Sequence, residues 1–211
     1  MISGIVLTTS LLFAANPPSA LPADAAALIA NLARPAPAST PYTEVHFARM
    51  LREPLTLHGQ LDYNGADKLG KRVDSPYKET TTIADGNATI EREGRGSKTF
   101  SLDRAPELQG LLASFSALLG GDAETMNRYY VVSEKSDANA WTLTLEPRSS
   151  SLARHLKSVV IDGAAKEPRC FTMLQGDGDA SVMLLGDLST AALPKPITRA
   201  ALDTLCHRAA Q

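Results

Sequence analysis

The stretch LTLHGQLDYN, Leu55 to Asn64, alternates without a break. Leu55, Leu57, Gly59, Leu61 and Tyr63 fall on one side of an extended chain, and Thr56, His58, Gln60 and Asp62 on the other. Successive side chains of a strand point to opposite faces, so this pattern predicts a half-buried antiparallel strand, apolar inward and polar outward. The same period recurs on both sides of it. EVHFARML places Val45, Phe47 and Leu51 together. YKETTTIADGNATIERE reads as a hairpin whose Asp85-Gly86 and Asn87 tolerate the positive φ of a tight turn. SKTFSLD, RYYVVSEK, AWTLTLEP, KSVVIDG, RCFTMLQ and ASVMLLGDL continue the series. About nine or ten short strands at hairpin spacing predict a mainly β fold, an antiparallel sheet strongly curved or closed as a barrel. Helices are expected at the N-terminus, in the middle and at the C-terminus.

The middle helix has an unusual composition. In PELQGLLASFSALLGGD, Pro106 to Asp122, the residues Leu108, Leu111, Leu112, Phe115, Leu118 and Leu119 recur at helical steps, yet Leu108 to Gly121 carries no charge. Burying each of these six side chains is worth about 1.5–3 kcal/mol relative to water, so they must meet an apolar surface. The Ser, Ala and Gly on the back leave the other side thin and weakly solvated. That suits a helix lying across a β-surface, able to shift when an apolar ligand enters. Gly120-Gly121 would serve either as a hinge or as the helix C-cap.

A length of 211 residues fits one domain with or without a leader. The net charge of −2 and pI of about 6.1 supply no basic field for nucleic acid. The first charged residue is Asp24, and IVLTTSLLFAA (Ile5 to Ala15) is an apolar run of signal-peptide length, too short to span a bilayer. It is followed by small residues, so residues 1–20 are expected to be a signal peptide, cleaved after Ala20 or Ala25, with residues 21–211 forming one domain in the periplasm. No Lys or Arg precedes the run, and an uncleaved N-terminal segment is the alternative. Downstream, PADAAALIANLAR places Ala25, Leu28, Ile29 and Leu32 on one helical face, and RPAPASTP reads as a linker of about seven residues. In an oxidising compartment Cys170 and Cys206 read as one disulfide tying the C-terminal helix to RCFTML; two buried free thiols are the other reading.

Chemistry is sparse. There is no G-x-S-x-G, P-loop or H-E-x-x-H, and the four histidines, His46, His58, His155 and His207, are scattered. His46 and His58 are expected on neighbouring strands, both on the polar face. Asp177 and Asp179 in GDGDA read as a tight turn rather than a calcium loop, and Glu146 and Asp162 have no obvious partner. No catalytic residue, metal site or cofactor is expected.

The order of YTEVHFARML, EPLTLHGQLDY, SPYKETTTI, FSLDRAPELQGLLASFSALLGGD, AWTLTLEPR and QGDGDASVMLL, from about Leu21 to Gly186, resembles the LolA-related proteins. These are relatives of the periplasmic carrier of outer-membrane lipoproteins. The resemblance implies an incompletely closed antiparallel β-barrel with helices over its open side and an apolar cavity between them. It implies that Leu57, Leu61, Trp141, Leu143 and Leu145 line a floor for acyl chains. Leu111, Leu112, Phe115, Leu118 and Leu119 would form the lid, and Arg49, at the interior parity of its strand, would bond lid backbone groups when it is closed. The carrier's RPG after the second strand is replaced here by GKRVDSPYKE, so a free lipid stands beside a lipoprotein as cargo. The implied partners are acyl chains, an inner-membrane exporter and an outer-membrane acceptor protein, and the chain is expected to be a monomer. A non-carrying docking module of an exporter is the second reading, and a lipid-acting enzyme the third.

Overall fold

The computed structural model describes residues 21–65, 68–104, 112, 115–137 and 140–207. The expected signal peptide, Leu108 of the apolar stripe and the lid position Leu111 therefore lie outside the described residues. A helix α1 (Ala23–Asn31) leads into strands β1 (Ala38–Phe47), β2 (Leu55–Tyr63), β3 (Leu69–Ser75), β4 (Glu79–Ala84), β5 (Asn87–Arg92) and β6 (Gly96–Ser101). Leu112 and residues 115–120 are helical, the latter stretch being α2. Helix α3 (Ala123–Tyr129), β7 (Tyr130–Ser136), β8 (Trp141–Pro147), α4 (Ser150–His155), β9 (Leu156–Ala164), β10 (Glu167–Gln175), β11 (Ala180–Leu185) and α5 (Arg199–His207) follow.

All eleven strands form one antiparallel sheet in the order β6-β5-β4-β3-β2-β1-β11-β10-β9-β8-β7. Two meanders, β1–β6 and β7–β11, join where β1 pairs with β11, Tyr42 opposite Leu185 and Phe47 opposite Ala180. β6 and β7 are the free edges, so the sheet is an open barrel. Register shifts at His58/Gly59 between β2 and β3, and twice between β9 and β10, add bend to the sheet.

The inner face carries the larger core. Side chains from β1, β2, β7, β8, β9, β10 and β11 meet Ala25 and Ile29 of α1, Leu32 at its C-cap, Ala117 and Leu118 of α2, and Met126 of α3. The outer face carries a smaller cluster of Val45, Cys170, Val182 and Leu184, covered by Leu202 and Cys206 of α5. The Cys170–Cys206 disulfide pins that helix to β10.

Three expectations need amending. Ala38 to Pro41 belong to β1 rather than to a linker. Pro41 is tolerated because it pairs only with Gln60 of β2, while β11 begins pairing one residue later, at Tyr42. β3 was not anticipated, because LGKRVDS offers only Leu69 and Val73 as an apolar alternation among charges. Leu51 lies past the end of β1 and is exposed instead of sharing a face with Val45 and Phe47.

Candidate functional site

The floor residues named from sequence share the inner face. Trp141 opposes Gly163, Leu143 opposes Ile161, and Leu145 opposes Val159, so the three stand in a row along β8. Trp141, Leu143, Leu145 and Leu57 are buried in the inner core, and Leu61 packs partly against it. The indole of Trp141 lies across β9 because position 163 has no side chain. A Cβ there would sit 2.1 Å from Trp141 Cζ2. The indole N–H donates to the Ala165 carbonyl at 2.9 Å.

Over this floor lie α1, α2 and α3. Leu118 is buried and Phe115 packs partly against the same core, its ring centroid 5.7 Å from that of Phe171. Leu112 and Leu119 are half-buried. At the end of α2, Gly121 has φ +72°, its N–H donates to Leu118 O, and the Asp122 N–H donates to Ala117 O at 2.7 Å. This is the two-bond C-cap that favours glycine at the left-handed position. Asp122 then caps α3 by accepting from the Thr125 N–H at 3.0 Å. The glycine pair thus ends one helix tightly against the next. α2 is also held to α1: the Arg34 N–H donates to Leu119 O at 2.8 Å, and a side chain on Gly121 would press on Ala33 and Ala30.

The space between floor and cover is small. Phe115, Leu118, Met126, Tyr130, Leu145, Val159 and Ile161 surround a cavity of about 10 Å³. Pockets that hold small ligands are about 300–1,000 Å³. Around this cavity the described residues of the inner core are closely packed.

One stretch of the inner face is polar. On β1 the side chains of Tyr42, Glu44 and His46 point inward, opposite Gly59, Leu57 and Leu55 of β2. The carboxylate of Glu44, 1% exposed, receives the Lys71 ammonium and lies 3.1 Å from His46 Nε2. Burial pushes the Glu44 carboxyl up. The His46 hydrogen bond and the Lys71 charge outweigh that and hold it below the ordinary value. Lys71 Nζ also lies 5.4 Å from the centre of the Tyr42 ring. Burial, then the Glu44 charge, raises the Tyr42 phenol, which stays protonated and donates to Arg72 O at 3.2 Å. The sequence reading missed this cluster because it assigned the inner parity of β1 to Val45 and Phe47. His46 and His58 consequently sit on opposite faces: His58 Nδ1 is 2.7 Å from Thr43 Oγ1 on the outer side. The signal that could have found it is an acidic residue inside an otherwise apolar strand run, since buried charge is the rarer observation.

A family model described as "Outer membrane lipoprotein carrier protein LolA-like" matches residues 15–209. The chain belongs to the LolA-like family. Among solved structures it is similar to a LolA superfamily protein from Nitrosomonas europaea, at 13% identity and TM-score 0.44, over 86% of this chain and 99% of that one. It is also similar to LprF from Mycobacterium bovis, at 9% identity and TM-score 0.34, over 85% of this chain and 100% of that one. No curated protein matches it.

Within this LolA-like fold, the polar contacts of Arg49 among the described residues lie at the β10–β11 turn. This residue follows the end of β1 and clamps the β10–β11 turn: its N–H donates to Asp179 Oδ1 at 3.0 Å, and its guanidinium lies 3.5 Å from the same oxygen. The strand ends at Phe47, so parity counting no longer applied to Arg49. Asp177 and Asp179 form the expected turn, with the Asp179 N–H donating to Asp177 Oδ1. Asp162 is not partnerless. Buried on the outer face, it accepts from Thr142 Oγ1 at 2.7 Å and lies 3.1 Å from His207 Nε2. Burial raises the Asp162 carboxyl. His207 is raised too, first by its backbone bond to Asp203 and then by the Asp162 charge. Asp162, Asp203 and His207 bring one ligand atom each within 4.8 Å, enough to hold a metal ion geometrically, but these atoms already bond one another and Thr142.

Proposed function

We propose that this LolA-like chain is a periplasmic carrier that takes up the acyl chains of a lipid or lipoprotein against its inner face and moves them between the inner and outer membranes. The observation that carries this reading is the cover. A floor of Leu57, Leu61, Trp141, Leu143 and Leu145 is closed by short helices rather than by a second sheet, and the α2 segment carries no charge. Acyl chains cost about 0.8 kcal/mol per CH₂ in water, so a soluble carrier must wrap them in such a surface. A cavity of about 10 Å³ cannot admit a chain, so loading requires Leu112 and α2, with Phe115, Leu118 and Leu119, to swing off the floor. Removal of residues 1–20 would leave α1 whole, whereas cleavage after Ala25 would cut through it, so the Ala20 site is the one this reading takes.

The packed interior favours a second reading, a non-carrying module that docks on an exporter. Solvent extraction of the mature chain purified from its native compartment, followed by mass spectrometry, separates the two. Lipid near one mole per mole of protein supports carriage. A lipid-free protein that also fails to take up added lipid refutes it.

A further inference from the structure

The polar patch on the inner face is built where a carrier of plain hydrocarbon would need none. Glu44 is 1% exposed and sits between Leu57 and Met183 on the paired strands. One carboxylate oxygen, Oε2, takes the Lys71 ammonium and lies 3.1 Å from His46 Nε2. Among the described residues, the other oxygen, Oε1, is buried with no hydrogen-bond partner, and so are His46 Nε2 and Ser181 Oγ. Ser181 lies directly opposite His46 and diagonal to Glu44 across the β1–β11 pair. Diagonal neighbours on one face are about 7–8 Å apart, within the span of a small headgroup. A buried polar atom left unpaired costs free energy, so three of them on one patch are an arrangement that a ligand completes. The patch also has a way out to solvent. The side chains of Lys71 and His46 are 32% and 31% exposed, so they mark a rim above the buried carboxylate.

We propose that Glu44, Ser181, Lys71 and His46 form a headgroup subsite for a neutral group that donates a hydrogen bond, a hydroxyl or an amide, at the end of an acyl chain. This rests on the carrier reading and specifies its cargo. The ionised Oε1 accepts only, so the ligand must bring an O–H or N–H. Ser181 either donates or accepts, and Lys71 retains donors for an ester or amide carbonyl. A carboxylate or phosphate headgroup would meet the Glu44 charge at contact, and that repulsion selects against it. A simple alkyl ester brings only acceptors, so it can take the Ser181 hydroxyl but leaves Glu44 Oε1 unfilled.

The test measures binding of radiolabelled monoolein, methyl oleate and oleate, which share one chain, to the purified mature protein. The wild type is expected to bind monoolein about tenfold or more tightly than methyl oleate, the range of a hydrogen bond to a charged group, and to bind oleate more weakly than monoolein. In Glu44→Gln the monoolein preference falls at least threefold and oleate binding rises, because a neutral acceptor makes a weaker bond and no longer repels an anion. Ser181→Ala removes only a hydroxyl, keeps the fold, and also lowers the preference; it decides the matter should Glu44→Gln fail to fold. Equal binding of all three lipids by the wild type overturns the subsite and leaves the carrier reading standing. A preference for oleate, or a monoolein preference unchanged in both variants, overturns it as well. Binding of none of the three removes the carrier reading and the subsite together.

Discussion

Gly163→Ala tests how the floor is built. The added methyl would lie 2.1 Å from Trp141 Cζ2, 2.5 Å from Cε2 and 2.6 Å from Glu167 O. None of these can yield cheaply, because two belong to a buried indole and the third is backbone in the neighbouring strand. Overpacking of this kind costs about 1–3 kcal/mol. Turning the indole away also breaks its bond to Ala165 O, at a further cost of about 0.5–1.5 kcal/mol. Together the loss is about 1.5–4.5 kcal/mol, which for a chain of this size lowers the melting temperature by about 3–18 °C. Trp141 is the single tryptophan, so its fluorescence reports the displacement directly. Thermal unfolding followed by tryptophan emission and far-ultraviolet circular dichroism measures both. Repeating the substitution in a Trp141→Leu background isolates the cause: there the penalty should drop by more than 1 kcal/mol, leaving the clash with Glu167 O. An unchanged melting temperature and emission maximum in Gly163→Ala, or an equal penalty in both backgrounds, would refute the reasoning.

Phe115→Asp is expected to abolish lipid retention while lowering stability by about 2 kcal/mol or less, since its ring is only partly buried; global unfolding would mark α2 as fixed core. Replacing Cys170 and Cys206 together by Ala removes a cross-link between residues 36 apart and should cost about 4 kcal/mol in the chain-entropy model, read by chemical denaturation. The His207 latch on Asp162 has a definite pH sign. Its folded pKa is raised above 6.5, so its stabilisation is fully present below that pH and is lost as pH rises through the folded value. The melting temperature of His207→Gln should approach that of the wild type as pH climbs from 5.5 to 8.5, and a gap that widens instead would contradict the latch. Arg49→Ala should shift stability by no more than about 0.5 kcal/mol and leave lipid retention unchanged, because its side chain is exposed and, among the described residues, its ion pairs are with the Asp177–Asp179 turn.

Period-two alternation was enough to determine the sheet-forming segments, the inward parity of β2 and β8, and the Asp85-Gly86 turn, because these features are written in neighbouring residues. The helical face of α1 and the cysteine pair were legible for the same reason. Parity failed on β1, and the cause is physical. Tyr42, Thr43, Glu44 and Val45 are all buried, since α1 and α2 close one side of the sheet and α5 covers the other. A strand covered on both faces has no polar side to read, so Val45 and Phe47 looked inward when they face α5. Only the register of β1 against β2 and β11 put Glu44, His46 and Ser181 on one face, and only the β2–β3 pairing brought Lys71 to them. Ser181 lies 137 residues along the chain from Glu44, and no local rule relates residues so far apart. That the cover packs down to a cavity of about 10 Å³ was likewise a tertiary decision, because the volume left between two apolar surfaces depends on how their side chains interdigitate rather than on how greasy each one is.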